Sequence, residues 1–441
     1  MEIIIAGAGK VGFELARSLS GDHQVTVIDE NIEALNRLQE LIDILPIVGN
    51  VEDPITYSRL PSVKADLFIA VTDSDEANLL ATLLIDDVVK IAKKVIRLRN
   101  SYFSKSHFLS NLENLTTVFP FSLAAETIGL LFDYPEANNV KQLAGTTMKL
   151  ISIRVDNPLH EEKFVGLFEN THIKIVGIER EKQFFIPAKD ELVRHGDLLY
   201  FLGSGDVLKR MYHELDMGMP QEVHTAVIFG AKTLGIEIAR ILITKGISVK
   251  IVEKSITHCE EASRQLQDKV LVINSHYDEN ILYEEEHLAK ADVMIATDKE
   301  DEANIIKALQ AKEQGIPKVI AINNEKRYYA LMHQLGIVVA RGPRTSAYYA
   351  ILESLSSGSS SSVSAKHFCG GEGVVLYYVT TKVFSGHRRS PWREEESILL
   401  IERGKVWTLW EEKMILESGD KLCLVTKTVY EEKAREWMES L

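Results

Sequence analysis

Residues 2–12 read EIIIAGAGKVG, and residues 23–29 read HQVTVID. In the first stretch an apolar run meets glycines at G-x-G-x-x-G spacing and opens onto the helix-patterned VGFELARSL. A short apolar run so bounded is a strand buried on both faces, and the turn after it is the dinucleotide fingerprint of an open α/β sheet. The three glycines differ in role, since Gly7 allows the tight turn, Gly9 lets a diphosphate approach main chain, and Gly12 lets helix pack on strand. Asp29 ends the next strand, 17 positions after Gly12, where a carboxylate meets ribose hydroxyls. An acid there rather than an arginine disfavours a 2′-phosphate, so NAD(H), ATP or ADP is the expected ligand rather than NADP.

Working outward, the runs ILPIV, DLFIAV, VIRL and TVF continue a series of short apolar strands, with helical segments such as EANLLATLLIDDVVKIA between them. Residues 148–155, 173–179 and 198–203 instead alternate apolar and polar, as a half-exposed β-rich module does. The whole pattern then recurs. Gly7 and Gly12 answer to Gly230 and Gly235, Asp29 to Glu253, and ADLFIA to ADVMIA. DEAN occurs at 75–78 and at 301–304, and HGDLLYFL (195–202) is matched by SGDKLCLV (418–425). An ordered series at a nearly constant offset of about 223–226 residues is a duplication. The expected fold class is α/β, with two tandem Rossmann-like doubly wound parallel sheets, each followed by a small β-rich α+β lobe. SSGSSSSVSA at 356–365 reads as a flexible linker.

Both DEAN segments follow the fourth strand, at the carboxyl edge where such sheets bind ligands. Thr72 or Asp73 is expected to cap the helix there, and Asp75 and Glu76 suit the positive end of its dipole. Val71, Thr72 and Asp73 border the ligand side of that joint. In the second copy Lys232 stands where Gly9 stood, Arg97 is aligned with Ala321, and Asn50 with Ser275. Glu253 survives, so Gly230, Lys232, Gly235 and Glu253 outline a second pocket that either takes a phosphate through Lys232 or serves as scaffold.

Composition narrows the rest. A net charge of −14, with no dense Lys/Arg block, excludes nucleic acid as an expected partner. Cys259, Cys369 and Cys423 lie far apart with no zinc-site spacing, and no apolar run approaches a membrane span, so a reducing, cytoplasmic setting is expected. An oxidoreductase shares the glycine fingerprint but needs a proton donor beside the nicotinamide. The Tyr-x-x-x-Lys at Tyr378 and Lys382 lies in a β-patterned stretch, and none of the 13 histidines forms HExxH. A third alternative is a structural scaffold without ligand control.

GAGKVG with VIDEN, the duplicated DEAN segments and the paired GDLLYFLG and GDKLCLV strands together resemble the TrkA family, the peripheral regulatory subunits of bacterial Trk potassium uptake systems, built of tandem RCK (KTN) units. The resemblance spans nearly the whole chain. It implies RCK N-domains at 1–122 and 222–345 and C-domains at 140–216 and 366–441. It further implies a non-enzymatic homo-oligomeric ring, a dimer of dimers, on the cytoplasmic face of a TrkH- or TrkG-type membrane transporter gated by nucleotide identity. The ligand residues it implies are Gly7, Ala8, Gly9, Lys10, Val11 and Gly12 for phosphate, and Asp29 for ribose. Asn50 and Val51 take the adenine side, and Thr72, Asp73 and Arg97 stand at the later strand ends. The chain departs from the family at Phe121, where an acid commonly follows the proline, at Lys232 and at NSHYD; Pro343-Arg344 fits.

Overall fold

The computed structural model describes residues 1–110, 112–134, 137–143, 148–155, 174–181, 183–188, 191–205, 207–208, 223–267, 269–275, 280–356, 363–369, 372–379, 397–404, 406–410, 414–417 and 419–439. The first lobe carries strands β1 (Glu2–Ala6), β2 (Gln24–Asp29), β3 (Leu45–Val48), β4 (Lys64–Ala70), β5 (Lys90–Arg97) and β6 (Leu115–Val118). Its helices are α1 (Lys10–Leu19), α2 (Ile32–Gln39), α3 (Pro54–Tyr57), α4 (Asp75–Val88), α5 (His107–Ser110) and α6 (Pro120–Asp133). All pairings are parallel, in the order β3-β2-β1-β4-β5-β6, so the strand order switches sides between β1 and β4. Helices cover both faces, which is why Ile3, Ile5, Phe68 and Ile69 are fully buried and the strands read as continuous apolar runs. Val11, Leu15, Ala16 and Leu19 put one buried stripe of α1 on the sheet.

The small lobe that follows has β7 (Asn139–Gln142), β8 (Met148–Arg154), β9 (Lys174–Arg180), β10 (Gln183–Phe185) and β11 (Leu198–Ser204), all antiparallel in the order β10-β9-β11-β8-β7. The second parallel lobe repeats the first: β12 (Thr225–Phe229), β13 (Ser248–Glu253), β14 (Leu271–Asn274), β15 (Val293–Ala296), β16 (Lys318–Asn323) and β17 (Val338–Arg341). Its helices are α7 (Thr233–Thr244), α8 (Ile256–Leu266), α9 (Asn280–Glu285), α10 (Asp301–Glu313), α11 (Tyr329–Gln334) and α12 (Pro343–Ser356), and its strand order is β14-β13-β12-β15-β16-β17. The last lobe has β18 (Val363–Cys369), β19 (Gly373–Val379), β20 (Ser397–Arg403), β21 (Val406–Leu409), β22 (Lys421–Lys427) and α13 (Glu431–Glu439). Its order β18-β19-β22-β20-β21, read backwards, is that of the first small lobe. The expected fold class is therefore the one observed.

Residues 1–129 and 223–354 form one compact unit. Within it the exit helix of each parallel lobe lies against the glycine-loop helix of the other. A Cβ on Gly129 of α6 would meet Ile241 of α7 at 2.7 Å, and Tyr348 Oη of α12 is 2.5 Å from Ser18 Oγ of α1. Residues 130–222 and 355–441 form the other unit. There the two antiparallel sheets share one core in which Leu150, Val176 and Phe184 meet Val375, Leu400 and Cys423. The Phe184 ring lies where a Cβ on Gly373 would have to go, and Phe184 N–H donates to Glu372 at 3.1 Å.

Two local expectations are corrected. The segment 76–92 is not one helix: α4 ends at Val88 and β5 starts at Lys90, because Ile91 and Val95 are needed for the sheet's buried faces. The serine-rich stretch 356–365 is not linker throughout, since Ser356 closes α12 and Val363 to Ala365 pair in β18; its middle, 357–362, lies outside the described residues.

Candidate functional site

The glycine loop closes as its chemistry requires. Gly7 has φ +112°, and a Cβ there would meet Thr72 N at 3.0 Å, so the β1 turn presses directly on the end of β4. A Cβ on Gly12 would fall on the Gly7 carbonyl oxygen, which is how closely α1 packs back on the turn. Gly9, the N-cap of α1, is different: it makes no side-chain cap and a Cβ there would meet nothing within 4 Å among the described residues. Its absent side chain relieves no internal crowding, and it leaves bare main chain at the positive end of a helix, where anions are stabilised. Ala8 and Val11 are buried, while Lys10 is exposed beside the loop.

Asp29 closes the adjoining corner. Its Oδ2 accepts the Ala8 N–H at 2.6 Å and its Oδ1 accepts the Asn31 N–H at 2.8 Å, tying the glycine loop to the start of α2. The carboxylate is half-buried, so it holds the loop and still meets the crevice. Asn50 is exposed at the end of β3, its Oδ1 accepting the Glu52 N–H at 2.7 Å. Val51 is buried against the core and its carbonyl accepts the Tyr57 hydroxyl at 2.6 Å, so its side chain packs inward.

The repeated DEAN proves to be a stitch between two strand ends. Asn78, fully buried, accepts the Thr72 N–H and hydroxyl at 2.8 Å each and donates to the carbonyls of Thr72 at 3.0 Å and Arg97 at 2.9 Å. Asp75 accepts the N–H groups of Arg99 at 2.7 Å and Asn100 at 2.9 Å. Asn304 and Asp301 repeat both patterns on Asp298, Ile322, Asn324 and Glu325. The cap itself is Ser74, which accepts the Ala77 N–H at 3.0 Å, in place of the expected Thr72 or Asp73. Neither the amide's nor the acid's role is local, and their sequence signal was the repetition itself.

The same stitch carries Arg97 to the crevice edge. Its guanidinium is buried, 3.4 Å from the exposed Asp73 carboxylate, and Nε has no partner among the described residues. Burial lowers its pKa and Asp73 partly restores it. A buried cation with an unsatisfied donor at a sheet edge suits an anionic or acceptor-rich ligand. Arg99, which no sequence motif marked, donates to the Asp73 carbonyl at 3.1 Å and stacks 5.6 Å from the Phe121 ring. Lys10 reaches across to the second lobe, 3.2 Å from Glu325.

In the second lobe Gly230 (φ +116°) and Gly235 repeat the turn, and Lys232 takes the N-cap of α7. Glu253 accepts the Ala231 N–H at 3.0 Å and the Ser255 N–H at 2.9 Å, as Asp29 accepts those of Ala8 and Asn31, but it is 3% exposed where Asp29 is half-buried. Burial pushes its carboxyl up, but these hydrogen bonds, with His258 and Lys232, hold it below the ordinary range. Asp298 pairs with Lys307 at 2.8 Å, a contact the first lobe lacks because Thr72 and Ala81 stand there. The bonds of Asn78 and Asn304 place Arg97 opposite Ile322, one residue from the alignment with Ala321. Likewise Ser275 N–H donates to Glu253 as Gly49 N–H does to Asp29, so the match to Asn50 lies outside the described residues.

Fold and site together define a tandem pair of Rossmann-type lobes of the nucleotide-binding kind. The TrkA-N domain model matches residues 3–113 and 226–341, and the chain belongs to that family. A Trk system potassium uptake protein TrkA homolog from Archaeoglobus fulgidus is 30% identical, over 79% of each chain. Haemophilus influenzae Trk system potassium uptake protein TrkA is 27% identical over 96% of this chain and 95% of its own. Among solved structures the GsuK channel bound to NAD aligns with all of this chain and 79% of its own, with TM-score 0.62 and 16% identity. Among the described residues no helix is long and apolar enough to cross a membrane, and no group of three or more His, Cys, Asp or Glu is placed to hold a metal.

Proposed function

We propose that this chain is a nucleotide-sensing regulatory subunit that gates a membrane potassium transporter of the TrkH or TrkG type, assembled as a homo-oligomeric ring at the cytoplasmic face. The observation that carries the reading is the open main chain at Gly9 beside Asp29 in the first lobe, set against Lys232 and the more deeply buried Glu253 in the second. Gly7, Ala8, Gly9, Val11 and Gly12 would hold the diphosphate of NAD(H), or the phosphates of ATP or ADP, with Lys10 and Arg97 adding charge and Asp29 the ribose contact. The second lobe is the weaker ligand site. The names of the relatives support potassium transport, and on that ground regulation is favoured over hydride transfer.

Gating follows from population shift. A ligand that binds two arrangements of the paired lobes equally switches nothing. Moving a ring from 1:99 to 99:1 needs roughly a 10⁴-fold preference, which identical sites share among themselves. Asp29→Ala should weaken nucleotide binding by about tenfold or more and remove nucleotide control of potassium flux in vesicles holding chain and transporter. Unchanged control in that variant overturns the proposal.

A further inference from the structure

A cavity of about 400 Å³ lies in the parallel-sheet unit where β6 and α6 face α12, and none of the glycine-loop residues lines it. That volume is in the range of small-molecule pockets. Its wall includes Ser104, Thr117, Phe119, Ser122, Glu126 and Ser354. Two of these hydroxyls have committed their protons inward: Ser104 donates to the Ser101 carbonyl at 2.7 Å and Ser354 to the Ile351 carbonyl at 2.6 Å. Each is left with lone pairs to offer a donor in the cavity.

Charge points the same way. Ser354 stands in the last turn of α12, at the negative end of that helix's dipole. Glu126 brings a carboxylate to the solvent-facing mouth, where partial burial and then the neighbouring carboxylate of Glu237 push its pKa up. Glu237 is itself paired with Arg240 at 2.7 Å, so a further cation there would serve the Glu126 carboxylate. The chain provides its own precedent, since the Lys93 ammonium donates to the Ser354 carbonyl at this helix end. The volume exceeds what a bare ion fills, and Phe119 and Leu123 give the wall an apolar part.

We propose that this cavity binds a small organic ammonium ion, its N–H groups donated to the hydroxyl oxygens and the Glu126 carboxylate, its alkyl portion laid on Phe119 and Leu123. The Lys93 ammonium at the Ser354 carbonyl repels additional positive charge, which favours a monoamine over a polyamine. The test is titration calorimetry on the full chain with n-butylammonium chloride, and with n-butanol as the uncharged counterpart of equal chain length. Saturable binding of the ammonium is expected, at least about tenfold weaker for butanol and for the ammonium with Glu126→Gln. Absence of saturable heat, butanol binding as tightly as the ammonium, or unaltered affinity in Glu126→Gln overturns the proposal. Should that variant fail to fold, the comparison of ammonium with alcohol on the unaltered chain decides alone.

Discussion

Replacing Asn78 by leucine keeps the branching of the side chain in a fully buried position and removes four hydrogen bonds that join the ends of β4 and β5. The Thr72 hydroxyl has a second acceptor in the Ser74 carbonyl at 3.2 Å, so its loss is discounted. Three main-chain groups remain: Thr72 N–H, Thr72 C=O and Arg97 C=O. An unsatisfied buried main-chain group costs about 1–3 kcal/mol, and Thr72 is only partly buried, so the sum is about 2–4 kcal/mol. For a unit of this size that corresponds to a fall in Tm of about 4–7 °C. Thermal unfolding followed by circular dichroism, with Asn304→Leu beside it, measures the effect in each lobe. The stitch also sets Thr72, Asp73 and Arg97 at the crevice, so nucleotide affinity should drop in Asn78→Leu. A Tm change under about 2 °C, or full nucleotide affinity, would refute the reasoning.

Two further predictions separate structure from ligand. Gly9→Ala adds a methyl that meets nothing within 4 Å among the described residues, whereas in Gly12→Ala it lands on the Gly7 carbonyl. The first should leave Tm within about 1 °C while weakening nucleotide binding about tenfold or more, and the second should lower both; calorimetric titration of each variant checks this. Glu253 tests acid stability. Its folded pKa lies below the ordinary 4.5, so its contribution is present above that value and lost as pH falls through the folded one. Glu253→Gln should therefore lower Tm at neutral pH and flatten the acid limb of a Tm-against-pH profile. An acid limb as steep as that of the unaltered chain would show that the carboxylate does not carry it.

Much of the architecture was legible because it is local. Glycine spacing, an acid at the next strand end and apolar runs of strand length each report what adjacent residues must do, and the duplication made that pattern visible twice. The α4–β5 boundary was not legible, since an apolar run reads alike as buried helix or buried strand until the sheet claims Ile91 and Val95. The one-residue slips at Arg97 and Ser275 arose where matching letters differ from matching hydrogen bonds.

By itself, then, the sequence determined two glycine-opened parallel sheets, the acids at Asp29 and Glu253, and the loss of bare main chain at Lys232. Only the tertiary structure decided that Asp75 and Asn78 stitch neighbouring strands, that Arg97 is buried with an Nε unpaired among the described residues, and that Lys10 meets Glu325, 315 residues away. The division has a physical cause: turn geometry and burial period depend on residues a few places apart, whereas these side chains find partners on strands and helices that only packing brings beside them.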